Sequence, residues 1–282
     1  VYMDDEKKDI VKNLSCNPID RYPFFVSLYT FEEKFYGISN YIQHFTETIS
    51  KCDKEVLEYI SLVDKFANRV LDVNFFQIVD KTDPMGVFED PSNKALITLI
   101  RKGKNDYLKI RHIRFADEII KNRIDRSDDT EEYQKALNMS NLLREFIKFS
   151  KHQIMFALDS TIDILKNLLI LRDTDSLIKD RFAPVISYII EMLPHDRVSD
   201  RYNVIGVVFK DLVDTYPEEA HFKAHLSRYY THIERNYQRG IEEAKEAIEL
   251  AESLGIYDPL LYHIAGLSIR RYVEKRLYQQ VI

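Results

Sequence analysis

ALITLIRKGKNDYLKIRHIRFADEII, residues 95–120, is the stretch in which the hydrophobic period of this chain changes twice. ALITLI (95–100) is a short apolar run with β-branched residues, and RKGKND (101–106) is polar and carries Gly103. YLKIRHI (107–113) then alternates, with Leu108, Ile110 and His112 set against Lys109, Arg111 and Ile113. Two such runs around a glycine-bearing polar turn predict a β-hairpin with a charged tip. From Phe115 to Ile124 the spacing returns to helical, so a helix is expected directly after the second strand.

Outward from the hairpin, both flanks read as helices. Upstream, 4–14 is a short helix, and 20–35 puts Phe24, Leu28, Phe31 and Phe35 on one face. Residues 40–50 align Tyr41, Ile42, Phe45 and Ile49, and 54–67 align Val56, Leu57, Ile60, Val63 and Phe66 behind Asp53 as the expected N-cap. A short turn or helix is expected at 74–79. Residues 80–91, with two prolines, a glycine, three aspartates and a glutamate, form a loop.

Downstream, RIDRSDDTEE (123–132) reads as a charged linker and a domain boundary. Antiparallel helices are expected over about 131–150, 153–171, 175–193, 198–215, 218–233, 236–254 and 258–275. In NYQRGIEEAKEAIEL (236–250), Tyr237, Ile241, Ala244, Ala247 and Ile248 share a side, and the small alanines admit a neighbouring helix. DPLLYHIAGLSIRRYVEK (258–275) opens with Asp258 as N-cap and Pro259 at the first position. Its Ala265 and Gly266 lie one turn after Leu261 and Tyr262, and large residues facing small ones are how helix-pair repeats stack. The expected fold is therefore mainly α. It comprises a helical subdomain (1–79), a winged-helix-like subdomain with a small hairpin (80–124) and an α-helical repeat domain (131–282).

Composition narrows the function. The 282 residues include only 7 glycines and 8 prolines, so tight turns and close phosphate cradles are scarce. Gly37, Gly86, Gly103, Gly206, Gly240, Gly255 and Gly266 are all solitary, which excludes a GxxxxGK[ST] or GxGxxG loop within these residues. A net charge of −6 does not favour nucleic acid. Cys16 and Cys52 stand alone with no CxxC, which argues against a disulfide framework and fits a reducing cytoplasm. No apolar run approaches the roughly 18 residues of a membrane span. The opening VYMDDEKKDI is too charged for a signal peptide. Because Val1 is not a methionine, a longer parent chain is expected.

Few residues suggest chemistry. His221 and His225, at i and i+4, could share a metal or simply be two helix histidines. No pair of carboxylates stands out as acid and base, and most are expected on solvated helix faces. Lys102, Lys104, Lys109, Arg111 and Arg114 surround the hairpin and could meet DNA phosphates, but Asp106, Asp117 and Glu118 are interleaved with them. The 18 Tyr and 16 Phe fall mostly at core spacing.

PFFVSLYTFEEKFYGISNYI (23–42), followed by KIRHIRFADEII (109–120), resembles the lid and winged-helix part of STAND ATPases, signal-transducing ATPases with numerous domains. It is most similar in flavour to bacterial antiphage and animal sterile-alpha-motif antiviral proteins. HLSRYYTHIERNYQRGIEEAKEAIELAESLGIYDPLLYHIAGLSIRR (225–271) resembles the tetratricopeptide-like repeats that follow in them. The resemblance implies that His112, beside Arg111, falls where a winged-helix histidine touches the nucleotide's phosphate and holds the closed, ADP-like state. His112 equally fits a residue that fills the hairpin–helix junction. The residue after it is Ile113, where the best-known versions carry an acid. Pro23 falls where the lid presents a proline near adenine, and also suits the first turn of a helix. The Walker motifs are expected upstream of Val1. The chain alone is thus expected to hydrolyse nothing and to hold no cofactor, with ATP or ADP bound in the parent. Its expected partners are an upstream nucleotide-binding domain and a protein trigger or sister subunit on the repeats. Two rival readings are a helical-repeat adaptor without nucleotide coupling and a winged-helix DNA-binding regulator.

Overall fold

A computed structural model describes residues 37–76, 96–125, 131–152, 154–171, 182–193 and 202–281, with isolated helical positions at 8 and 12. Among these the chain is mainly helical with one small antiparallel sheet. The expected helix at 20–35, the loop at 80–91 and Pro23 lie outside the described residues.

Helix α1 spans Ile38–Thr48 and α2 spans Lys51–Ala67. The cap of α2 is Ser50 rather than the expected Asp53: the Ser50 hydroxyl accepts the Asp53 N–H at 3.1 Å. Asp53 sits in the first turn, where its charge suits the positive end of the helix dipole. After Asn68 the chain forms β1 (Leu71–Asp72) and a 3₁₀ turn, Val73–Phe76.

The expected hairpin is β2 (Ile97–Lys102) and β3 (Asn105–Ile110). Its register pairs Ile97 with Ile110, Leu99 with Leu108 and Arg101 with Asp106. Gly103 turns the tip at φ +65°, a left-handed value costly for any residue with a Cβ. Leu71 pairs with Leu108, so the sheet order is β1-β3-β2. The residue pair Leu71–Asp72 had no strand signal, yet it joins the helical segment before 79 to the hairpin after it. Alternation holds where expected: Leu108 and Ile110 are buried, whereas Leu99 faces solvent.

Helix α3 (Ile113–Ile124) follows β3 at once and buries Phe115, Ala116, Ile119, Ile120 and Ile124. The array continues with α4 (Glu132–His152), α5 (Ile154–Leu169) and α6 (Pro184–Glu191). A π-helical turn, Tyr202–Gly206, leads into α7 (Val207–Thr215). Helix α8 (Ala220–Tyr229) ends in a second π-helical turn, Tyr230–Glu234. The last pair is α9 (Tyr237–Ser253) and α10 (Pro259–Val281).

One hydrophobic core runs from Ile42 to Ile233 and crosses both 79/80 and the 123–132 segment. A second, smaller core joins Ala220, Ala224, Ala247, Ala251, Leu261 and Ile264 where α8, α9 and α10 pack together. The alanines do the work expected of them. Gly240 does more: its carbonyl accepts the Ser227 hydroxyl at 2.6 Å, and a Cβ there would lie 2.3 Å from Thr231 Oγ1. Gly266 departs from the expected large-against-small packing, because it faces open space while Ala265 turns inward.

Candidate functional site: charged joints between helices

Helix α3 carries a polar device at each end. At its start, His112 leaves the alternation of β3 and becomes the N-cap, with Nδ1 accepting the Arg114 N–H at 3.2 Å. An acceptor at Nδ1 places the ring proton of neutral His112 on Nε2. The Arg111 side chain is exposed, and its backbone N–H donates to Leu96 O at 2.8 Å, closing the hairpin. Arg111 and His112 are therefore neighbours at the hairpin–helix junction. Nothing described relates them to Pro23.

At the other end of α3, Arg123 clamps three helices. Its Nε donates to Glu58 of α2 at 3.1 Å, and its Nη2 to Glu145 of α4 at 2.9 Å. A cleft of about 590 Å³ opens beside this clamp, also lined by Lys51, Lys54, Glu55 and Asn122. The Glu58 side chain is only 5% exposed. Burial pushes its carboxyl up to about 7, against the pull of Arg123 and Lys54. Asp64, two turns along α2, is also buried and raised by burial, and Lys109 of β3 offsets this from 3.4 Å. Both acids depart from the general expectation that carboxylates here lie on solvated helix faces. Their one sequence signal is the largely apolar company of VLEYISLVD, residues 56–64, all of which the structure buries.

Further joints repeat the pattern. Lys65 of α2 meets Asp117 of α3 at 2.9 Å. Asn138 of α4 donates to the last carbonyl of α3, Ile124 O, at 2.7 Å, and Lys135 reaches Asp125 at 3.2 Å. Arg144 of α4 pairs with Asp211 of α7 at 2.7 Å, and Ser150 shares a 2.6 Å hydrogen bond with the Tyr216 hydroxyl. Lys166 of α5 meets Glu219, the cap of α8, at 3.1 Å.

The other sequence candidates separate. His221 Nε2 lies 3.1 Å from Asp258 Oδ2, tying α8 to the start of α10, while His225 is buried. Among the described residues no three His, Cys, Asp or Glu side chains gather as a metal site. Around the hairpin, Lys109 is drawn to Asp64 and Arg101 to Asp106 at 2.9 Å. Lys102 lies 5.9 Å from the centre of the Tyr107 ring, and Lys104 is exposed at the tip. No described helix is long and apolar enough to cross a membrane.

Comparison with family models, with curated proteins and with solved structures returned no match. The joints themselves therefore define the candidate site. They link the hairpin to α2, α2 to α3 and α4, and α4 and α5 to the later helices. Among the described residues the cleft at Arg123 is lined by charged and amide side chains. Its polar groups are the charge contacts that hold α2, α3 and α4 together.

Proposed function

We propose that this chain is the regulatory part of a STAND-type switch, working by binding and relay rather than by catalysis of its own. In this reading residues 1–124 are lid and winged-helix-like relay, and residues 131–282 are tetratricopeptide-like helix pairs. The pairs bind a protein trigger or a sister subunit in the cytoplasm, and antiviral defence is the setting that the resemblance suggests. The observation that supports it most is the β1-β3-β2 sheet with a helix that begins at His112 directly after β3. A hairpin whose second strand lies between its partner and an earlier short strand has the layout of a wing. That layout holds His112 at a fixed exit from the sheet.

Arg123 supports the relay. A nucleotide-dependent movement of the hairpin or of α3 must disturb its contacts with Glu58 and Glu145, and so reach α4 and the helices beyond. A trigger that binds one arrangement more tightly than the other shifts the balance by that difference in affinity.

The test uses a full-length parent carrying a nucleotide-binding domain upstream. Asn is as good an N-cap as the ring nitrogen of His112, so His112→Asn keeps α3 capped but removes the imidazole. ADP release should change several-fold while thermal stability stays constant. Unchanged release, or an upstream sequence without a GxxxxGK[ST] loop, would overturn the proposal.

A further inference from the structure

We infer that the outer side of α10 is a self-association surface, occupied by α10 of a second copy running antiparallel. It names one partner within the binding role proposed above and does not depend on nucleotide coupling.

Helix α10 has two apolar faces. Leu261, Ile264, Ala265 and Ser268 are buried against the second core. About a third of a turn round the helix, Tyr262, Gly266, Ile269, Val273 and Leu277 form a second stripe roughly 22 Å long. Its four large members are 44% to 57% exposed. Gly266 lies in the middle of the helix, where glycine costs about 1 kcal/mol relative to alanine. A Cβ at Gly266 would meet nothing within 4 Å, so packing within the chain gives no reason for it. A gap in an apolar stripe suits a large side chain arriving from outside.

The pattern selects a second copy. Four members of the stripe are symmetric about the midpoint between Ile269 and Arg270: Tyr262 mirrors Leu277, and Gly266 mirrors Val273, with Ile269 beside the centre. Two copies related by a two-fold axis there place each Val273 over the other copy's Gly266, and each Tyr262 against Leu277, as a self-complementary interface requires. Charge agrees. Residues 249–258 hold three carboxylates and no Lys or Arg, whereas 270–276 hold four cations and one carboxylate. Glu252 accepts the Tyr262 hydroxyl at 2.5 Å, which fixes its carboxylate beside the acidic end of the stripe. An antiparallel pair sets Arg276 of one copy near Glu252 of the other. A parallel pair would set like charge against like.

Light scattering on the size-fractionated 282-residue chain, from about 1 to 100 μM, should show a concentration-dependent dimer. Gly266→Leu fills open space in the monomer, so helicity and Tm should hold or rise while association weakens at least about tenfold. Glu252→Lys and Arg276→Glu should each weaken the dimer, and the two together should restore it. A monomer throughout this range would overturn the inference, as would a dimer indifferent to Gly266→Leu. Loss of the His112 effect with the dimer intact would overturn the nucleotide reading alone.

Discussion

Arg123 donates its Nε–H to Glu58, 65 positions earlier in the chain, at 3.1 Å. The same guanidinium reaches Glu145 at 2.9 Å, so one side chain fixes α2 and α4 against the end of α3. The two acids are not equivalent: Glu145 is 48% exposed and Glu58 only 5%. Screening leaves the outer contact worth little, whereas removing a partner from the inner one strands a buried charge. The inner contact also titrates close to neutral pH, and so carries the pH dependence of this joint.

Glu58→Gln should remove a pH-dependent part of stability. Burial raises the Glu58 carboxyl from 4.5 to about 7 in the folded chain. The fold therefore favours the protonated form, and the associated stability is fully present below pH 4.5 and lost as pH rises through 7. A shift of that size corresponds to roughly 3 kcal/mol. In urea titrations from pH 4.5 to 8, the wild-type chain should lose about that much relative to Glu58→Gln. A difference that stays constant with pH would show that burial does not hold this carboxyl protonated.

Arg123→Met has the opposite profile. At pH 8 it removes the cation that favours ionised Glu58, so the carboxyl stays charged without a partner or takes up a proton against the pH, which should cost about 2 kcal/mol. At pH 5.5 Glu58 takes up a proton, and the cost should fall well below that. Adding Glu58→Leu to Arg123→Met should recover most of the loss, since a buried ion pair can be exchanged for apolar packing. If the double variant is as unstable as the single, Arg123 acts through something other than Glu58.

How much of this was legible follows from how local each signal is. The hairpin could be read because alternation, a glycine and a polar turn all lie within residues 95–113, and the helices because their stripes repeat every turn. Leu71–Asp72 could not, since two residues have no period. Glu58 and Asp64 were hidden because a carboxylate on a helix looks the same whether it faces water or a cation from a distant segment. Arg123 was hidden for the same reason, as the first residue of what looked like a charged linker. The Ser50 cap was missed because Asp53 is an equally good cap type three residues later. Of the two readings open for His112, the junction role is visible as a cap, and contact with a nucleotide is the part that stands as a proposal.

His112→Ala should cost about 1 kcal/mol, because the Arg114 N–H loses its acceptor. His112→Asn should recover most of that, since a side-chain oxygen can accept the same N–H. Thermal melts of the three proteins at pH 7.5 check this ranking. Equal losses in Ala and Asn would mean that the ring is needed for its packing or its other contacts rather than for the cap.

Two helix glycines should respond in opposite directions to the same substitution. In an unpacked helix, Gly→Ala stabilises by about 1 kcal/mol. At Gly266 a Cβ meets nothing within 4 Å, so Gly266→Ala should show that gain in the monomer. At Gly240 the Cβ would lie 2.3 Å from Thr231 Oγ1 and 3.2 Å from the Ser227 carbonyl. The hydroxyl could rotate away, but only by giving up its 2.9 Å hydrogen bond to Ser268 in the buried space between α8 and α10. The backbone carbonyl cannot move without shifting α8. Gly240→Ala should therefore destabilise by about 1–3 kcal/mol despite alanine's better helix propensity. Gly240→Ala with Thr231→Ala should relieve the closest clash and recover part of the loss. Denaturant midpoints measured at a concentration where the chain is monomeric give both signs, and a stabilising Gly240→Ala would mean that α8 and α9 are farther apart than the Ser227–Gly240 hydrogen bond requires.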